Sequence, residues 1–271
     1  MLVEAGSGHS AGPLGLADVA VALYFNIMNV DPKKKNDPDR DRLYVSPGHT
    51  APVWYATLAH AGFFPVEELK SLRKLGTRLQ GHMDRLTVPG VESSSASLGQ
   101  GLGIACGSAY AARIDEKTYH TYAILSDGEH DEGSIWEAVS FAAHYRLSNL
   151  TAIMDRNNIQ IDGPTEDIMK KEPLREKYEA FGWHVIDVDG HNIEAIIDAC
   201  NEAKAIVEKP VLLIAHTIPG KGVEYMEGDY RWHGSPPGKV ETDRTPSPAM
   251  QGKEALKQLR TLDGKIDNMD I

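Results

Sequence analysis

Two turns about thirty residues apart carry the oxygen chemistry of this chain. The first is Ser126-Asp127-Gly128-Glu129; the second is Asp155-Arg156-Asn157-Asn158-Ile159, closed by Ile161-Asp162-Gly163. Asp127 offers a carboxylate, Asn157 an amide oxygen and Ile159 a backbone carbonyl. Mg²⁺ takes such hard donors from a protein while phosphate and water complete its octahedron. Gly128 has no Cβ and lets a phosphate approach the backbone. Asp-Gly and Asn-Asn are also ordinary turn residues, so either turn alone has a structural explanation. A site is favoured because each turn directly follows an apolar, β-prone run, 122–125 and 150–154, with a helical stretch at 132–145 between them. That is a βαβ unit delivering ligands from the carboxyl ends of two strands, where open α/β sheets bind.

The histidines form a second set. The chain has 11. His9, His49, His82 and His233 each sit in a Gly- or Pro-containing turn, where side chains reach into clefts. An imidazole there can donate, accept or shuttle a proton near neutral pH. His60, His120, His144, His184, His191 and His216 have no motif around them and are expected to be structural or on the surface. His130 follows the first turn and is expected to support it at most.

The elements that must position these residues follow from periodicity. Helices are predicted over 14–28, 51–62, 65–75, 98–114 and 193–208, and strands over 43–45, 183–188 and 211–216. An acidic–basic loop is predicted over 166–177, and a weakly amphipathic helix over 253–262. Alternating strands and helices, with strands that are apolar throughout, predict an α/β fold: a doubly wound parallel sheet flanked by helices. Residues 1–238 are expected to form that domain and 239–271 a polar tail. The stretch 78–97 lacks periodicity, and a long irregular segment inside a compact domain usually has a function. Leu2 and Val3 read as the last turn of a helix begun earlier.

Composition sets the boundaries. With 271 residues, 41% hydrophobic and 25% charged, the chain is an ordinary globular one. A formal net charge of −11 argues against nucleic acid or an anionic membrane as partner. Cys106 and Cys200 lie in apolar helical contexts, which predicts buried thiols and a reducing, cytoplasmic setting. The first residues lack a signal-peptide pattern, and no apolar run reaches membrane-spanning length.

In this combination the sequence resembles the thiamine diphosphate-dependent enzymes, which share the Asp-Gly turn followed about thirty residues later by Asn. It resembles more closely the N-terminal half of transketolase in its two-subunit form. The residues that carry the resemblance are 4–9 (Glu-Ala-Gly-Ser-Gly-His) with Pro13-Leu14-Gly15, then Ser46-Pro47-Gly48-His49, Gly81-His82 and Leu98-Gly99-Gln100-Gly101. They continue with 126–133, 155–157, 220–223 and Trp232-His233-Gly234. The resemblance implies thiamine diphosphate with Mg²⁺ (or Ca²⁺ or Mn²⁺), the metal held by Asp127, Asn157 and Ile159. It implies cofactor contacts at His49, Ala96, Leu98, Gly128, Glu129, Asn157 and His233. It implies catalytic roles for His9, His82 and His233, and for Glu132 in a proton network at a subunit interface. Glu132 and Glu137 also suit a helix N-terminus without any such role.

The implied activity is transfer of a two-carbon ketol unit from a ketose phosphate to an aldose phosphate, within the pentose phosphate pathway. A C-terminal subunit would supply the pyrimidine-binding domain, in an α₂β₂ assembly. Three departures stand out: Ser126 where the family has Gly, Ser95-Ala96-Ser97-Leu98 in place of Thr-Gly-Pro-Leu, and the short N-terminus. Other readings are a related ketose-phosphate transferase, a 2-oxoacid dehydrogenase α subunit, or a non-catalytic assembly partner. Gly99-Gln100-Gly101-Leu102-Gly103 as a dinucleotide loop fails, because serines rather than a strand precede it.

Overall fold

The computed structural model describes residues 1–261. Its centre is a five-stranded sheet, with β1 at Arg42–Val45, β2 at Thr121–Ser126, β3 at Leu150–Arg156, β6 at His184–Asp189 and β7 at Val211–His216. Every pairing in it is parallel, in the order β1-β2-β3-β7-β6. A small antiparallel pair, β4 (Ile159–Gln160) with β5 (Gly163–Pro164), lies beyond the end of β3. Among the described residues ten α-helices surround this frame: α1 Leu2–Ala5, α2 Ala11–Gly15, α3 Ala17–Ala22, α4 Ala51–His60, α5 Gln100–Ile114, α6 Gly133–His144, α7 Thr165–Ile168, α8 Leu174–Phe181, α9 Ile193–Ala205 and α10 Pro248–Thr261.

The central strands β2, β3 and β7 are buried almost throughout because both faces of the sheet are covered there, whereas the edge strands β1 and β6 keep half-buried or exposed positions. Successive side chains of a strand point to opposite faces. Tyr122 and Ile124 of β2 pack into one core with Ile153, Leu213 and residues of α3, α4 and α9. Ala123 and Leu125 pack into the other with Ala152, Met154, Leu212 and residues of α5, α6 and α8. Fully burying each Leu or Ile contributes about 1.5–3 kcal/mol, so the central strands are the most firmly held part of the chain. Cys106 and Cys200 lie one in each core; both are buried and reduced, and burial pushes both thiols up to about 12.

The doubly wound parallel sheet is as expected, with four differences in detail. The helix over 14–28 is broken into α2, α3 and a π-turn at Leu23–Ile27. The helix over 65–75 shrinks to a 3₁₀ segment, Val66–Ser71. The loop over 166–177 contains α7 and the start of α8, whose Leu174 and Tyr178 are buried at i and i+4. The dense charges there hid those two core contacts. The tail helix begins at Pro248, earlier than expected; Leu262 and the rest of the tail lie outside the described residues. Ala255 of α10 packs on Val223, Tyr225, Met226, Trp232 and Val240. The fully buried Gln251 accepts from Gly238 N at 2.6 Å and donates to Val240 O at 2.5 Å. Among the described residues no helix is long and apolar enough to cross a membrane.

Candidate functional site

Register brings the two oxygen-bearing turns together. β2 and β3 pair in parallel with Ser126 opposite Asp155, so Asp127 and Asn157 both fall just past the paired strand ends. The Asp127 N–H donates to Asp155 O at 3.2 Å, which carries the ladder one step further. Asp127 is only 1% exposed. Its Oδ2 accepts from Asn158 N at 2.8 Å and from the Arg156 guanidinium at 2.9 Å; its Oδ1 accepts from Gly128 N at 2.7 Å. A carboxylate has about four acceptor positions, so Oδ1 retains an open lone pair. Burial raises the Asp127 carboxyl, and the Arg156 charge opposes that rise.

The amide of Asn157 is held in one orientation. Its Nδ2 donates to Asp155 Oδ2 at 2.7 Å, and its Oδ1 accepts from Ile159 N at 3.0 Å. Asp155 is in turn held by the Thr217 hydroxyl, which donates to Oδ1. Burial is the main reason the Asp155 carboxyl is pushed up to about 7.

Glu129 is also buried, at 1% exposed. Its Oε1 accepts from Ser46 Oγ and, at 2.9 Å, from Gly99 N; its Oε2 accepts from Ser126 N at 2.8 Å. The carboxylate therefore ties the end of β1, the start of α5 and the end of β2. His130 is fixed as well: Nδ1–H donates to Ser126 O at 2.9 Å, and Nε2 accepts from the Tyr178 hydroxyl at 2.8 Å.

The imidazoles of His9, His49 and His233 form a triangle. Ring centroids are 5.0 Å apart for His9–His49, 5.7 Å for His9–His233 and 5.0 Å for His49–His233. Three separate segments deliver them, and Ser10 Oγ, donating to Ser235 O at 2.6 Å, ties two of these together. His82 stands beside the His49 turn, since a Cβ built on Gly48 would lie 2.9 Å from His82 Cδ2. Burial lowers His9 and His233 to about 4 and His49 well below its usual value, so all three rings are neutral at neutral pH. Nδ1 of His9 and Nδ1 of His233 are buried with no hydrogen-bond partner. Buried polar atoms are rarely left unpaired, and both residues line a cavity.

One cavity of about 240 Å³ joins the two sets. Its lining includes His9, His49, Leu98, Asp127, Gly128, Glu129, Asn157, Ile159 and His233. A Cβ on Gly128 would fall 2.9 Å from the Gln160 side chain, so a side chain there would crowd the mouth. Ala96 is elsewhere: it lines a second cavity of about 430 Å³ with Ser93, Ser94, Ser95 and Ser97. Glu132 is exposed and lines neither cavity; it lies against Gly99. Four of the motif-free histidines have polar partners: His120 meets Thr151, His184 meets Glu202, His191 meets Asp18, and His216 meets Asp187. Sequence reasoning gave no role of their own to Asp155, which holds Asn157, or to Arg156, which holds Asp127. Their place inside the second turn was the available signal.

The residues present fit a hard cation and a diphosphate. Among the described residues no group of three or more His, Cys, Asp or Glu could hold a metal. A cation here would therefore take one carboxylate, the Asn157 amide oxygen and a carbonyl, with phosphate oxygens completing the shell. The orphaned imidazole nitrogens and the open backbone at Gly128 suit an oxygen-rich ligand.

In class, this is a parallel α/β domain with a polar ligand site at the carboxyl ends of its strands. The family described as transketolase, thiamine diphosphate binding domain, matches residues 1–251. The 6-deoxy-6-sulfo-D-fructose transketolase subunit of Clostridium sp. (strain MSTE9) is 45% identical over 228 residues, covering 84% of this chain and 83% of that protein. An apulose-4-phosphate transketolase subunit of Phocaeicola vulgatus is 43% identical over 233 residues, covering 86% and 83%. A solved transketolase from Campylobacter jejuni superposes with a TM-score of 0.82 at 31% identity, covering 97% of this chain and 44% of that one. The chain thus belongs to the transketolase family and carries its thiamine diphosphate-binding domain. It spans most of the length of the two subunit relatives but under half that of the solved transketolase.

Proposed function

We propose that this chain is the N-terminal subunit of a two-subunit transketolase that moves a two-carbon ketol unit between anionic sugars. The observation that carries this reading is the imidazole triangle sharing one cavity with Asp127 and Asn157. A cation and diphosphate site alone would suit many reactions; neutral imidazoles beside it suit sugar hydroxyls and proton transfer. Asp127 Oδ1, Asn157 Oδ1 and the Ile159 carbonyl would hold Mg²⁺, and Gly128 would give the diphosphate its approach. Thiamine diphosphate, when bound, supplies the electron sink for C–C cleavage and formation.

The chain's own residues do the rest. His49 and His233 would lie nearest the reacting carbon. His9 and His82 would orient the sugar hydroxyls, and His9 and His233 would take or give protons. Leu98, which lines the cavity, would pack against the cofactor. Ala96 and the serines beside it line the second cavity, where the cofactor's ring would meet a partner. Glu132, exposed next to Gly99, is placed to face that partner rather than the sugar.

A C-terminal subunit completes the enzyme, in an α₂β₂ assembly, and the setting is cytoplasmic. The two subunit relatives are named for sulfofructose and apulose phosphate, so a substrate outside the pentose phosphates fits as well. The test mixes this chain with its C-terminal partner and follows ketol transfer with thiamine diphosphate and Mg²⁺. Activity only in the mixture is expected; full activity of this chain by itself would sink the two-subunit reading.

A further inference from the structure

Arg156 ends β3 with its side chain buried, at 4% exposed, beside a carboxylate that lines the cavity. Nη1 donates to Asp127 Oδ2 at 2.9 Å. Nη2 reaches outwards, to Glu166 at 2.7 Å and Glu172 at 2.9 Å, both much more exposed. The other two buried carboxylates of the site are held differently. Glu129 accepts from Ser46, Gly99 and Ser126, and Asp155 from Thr217 and Asn157, all of them neutral donors. Among the described residues, Asp127 is the one of the three in an ion pair, and its partner is Arg156.

A buried ion pair can serve folding alone. The charges around Asp127 Oδ1 give this one a further consequence. The protein offers a cation one carboxylate, one amide oxygen and one carbonyl, which together carry a single formal negative charge. Arg156 cancels that charge through Oδ2. Ligand charge is one of the quantities that set how tightly a hard-cation site binds. A divalent ion on Oδ1 would share its carboxylate with a guanidinium that stays protonated at any working pH. Repulsion between two cations this close is poorly screened inside a buried site. A diphosphate brings negative charge of its own and outweighs it.

We propose that Arg156 is a built-in counter-ion that makes cation binding at Asp127 conditional on the diphosphate. The chain then takes the two together and discriminates against the free divalent ion. Arg156 acts through Asp127 and touches neither substrate nor cofactor, so it is a positioning residue. Glu166 and Glu172 hold the other half of its fork and keep Nη1 on Oδ2. This inference rests on the cation and diphosphate reading of the site.

The experiment titrates Mn²⁺ into the full chain, as wild type, Arg156→Gln and Arg156→Lys, with the free ion counted by electron paramagnetic resonance. A second series adds thiamine diphosphate and the C-terminal partner. Wild type is expected to bind Mn²⁺ at least about 100-fold more tightly in the second series than in the first. Arg156→Gln should bind Mn²⁺ alone at least about tenfold more tightly than wild type, the effect of removing one adjacent like charge, and its gain from thiamine diphosphate should shrink accordingly. Arg156→Lys, which keeps the charge, should restore the wild-type preference. Equal or weaker binding of Mn²⁺ alone by a folded Arg156→Gln would overturn the proposal. Should Arg156→Gln be unfolded alone, Mn²⁺ without thiamine diphosphate is expected to restore its circular dichroism by replacing the missing charge on Asp127; no restoration would equally overturn it. A wild-type chain that binds no Mn²⁺ in either series removes the cation site itself, and that failure is seen before any variant is compared.

Discussion

The two ends of the cavity are built on opposite terms. At the oxygen end, Asp127, Asn157 and Glu129 are buried and bonded on almost every side by the protein itself. At the imidazole end, His9 and His233 are partly or largely buried, yet each has an Nδ1 that meets nothing. The first arrangement is assembled by folding and would hold its shape with or without a ligand. The second leaves desolvated nitrogens unpaired beside the cavity, which lowers stability at that end. Substitutions at the two ends should therefore move different quantities.

The largest loss of stability is expected from Asp127→Ala. It strips the buried Arg156 guanidinium, 4% exposed, of its buried carboxylate and leaves Glu166 and Glu172, both much more open. Breaking a buried pair from one side costs about 3–5 kcal/mol. Chemical denaturation should show that loss, and calorimetry should show that Mg²⁺-dependent binding of thiamine diphosphate has gone. Undiminished metal-dependent binding would remove Asp127 from the metal site and erase the contrast between the two ends.

Glu129→Ala comes next. It orphans Ser46 Oγ, Gly99 N and Ser126 N together, each buried. At about 1–3 kcal/mol for a buried donor left unmet, a loss of about 3 kcal/mol is expected. Because those donors sit on three elements, cofactor affinity should fall even though both carboxylate oxygens of Glu129 are already engaged. If affinity holds while stability drops, Glu129 supports the fold alone.

Sequence showed these two ends unequally. The strand–turn pattern around Asp127 and Asn157 was legible because apolar runs and turn residues are local features. The register that sets Ser126 opposite Asp155 then made the site almost unavoidable. The meeting of His9, His49 and His233 is long-range; only the family resemblance, not spacing, put them together. Glu129 could be read as a ligand contact, but its inward bonds depend on Ser46 and Gly99, far away in the chain. The helix at Leu174–Phe181 was hidden by its own charges, with Leu174 and Tyr178 its two buried residues.

A pH series sharpens the comparison from the side of burial. His130, His9 and His233 are all held near 4 by burial, against an ordinary value of about 6.5. A histidine with a lowered folded pKa binds fewer protons folded than unfolded. Its contribution is present above about pH 6.5 and is lost as pH falls towards 4. Asp155, raised to about 7, works in the opposite direction but is one group against several. Stability should therefore fall on acidification through this window, with the fully engaged His130 contributing about 3 kcal/mol. His130→Gln should flatten the acid limb of a melting curve against pH; an unchanged slope would show that folding does not alter the proton affinity of His130.

The smallest change in stability is expected where the catalytic effect is greatest. His9→Ala removes a desolvated imidazole whose Nδ1 had no partner. Folding thus gives up little hydrogen bonding and is relieved of one orphaned atom. The ring packing lost against His49 and His233 offsets that gain, so stability should stay within about 1 kcal/mol of the parent. Cofactor affinity should also hold, because Asp127, Gly128 and Asn157 are untouched. The kcat of the two-subunit enzyme should nevertheless fall about 10²- to 10⁴-fold, the usual contribution of a positioned proton-transfer group. A variant that loses several kcal/mol while keeping its turnover would reverse the contrast, making His9 a structural residue and the imidazole end no different in kind from the oxygen end.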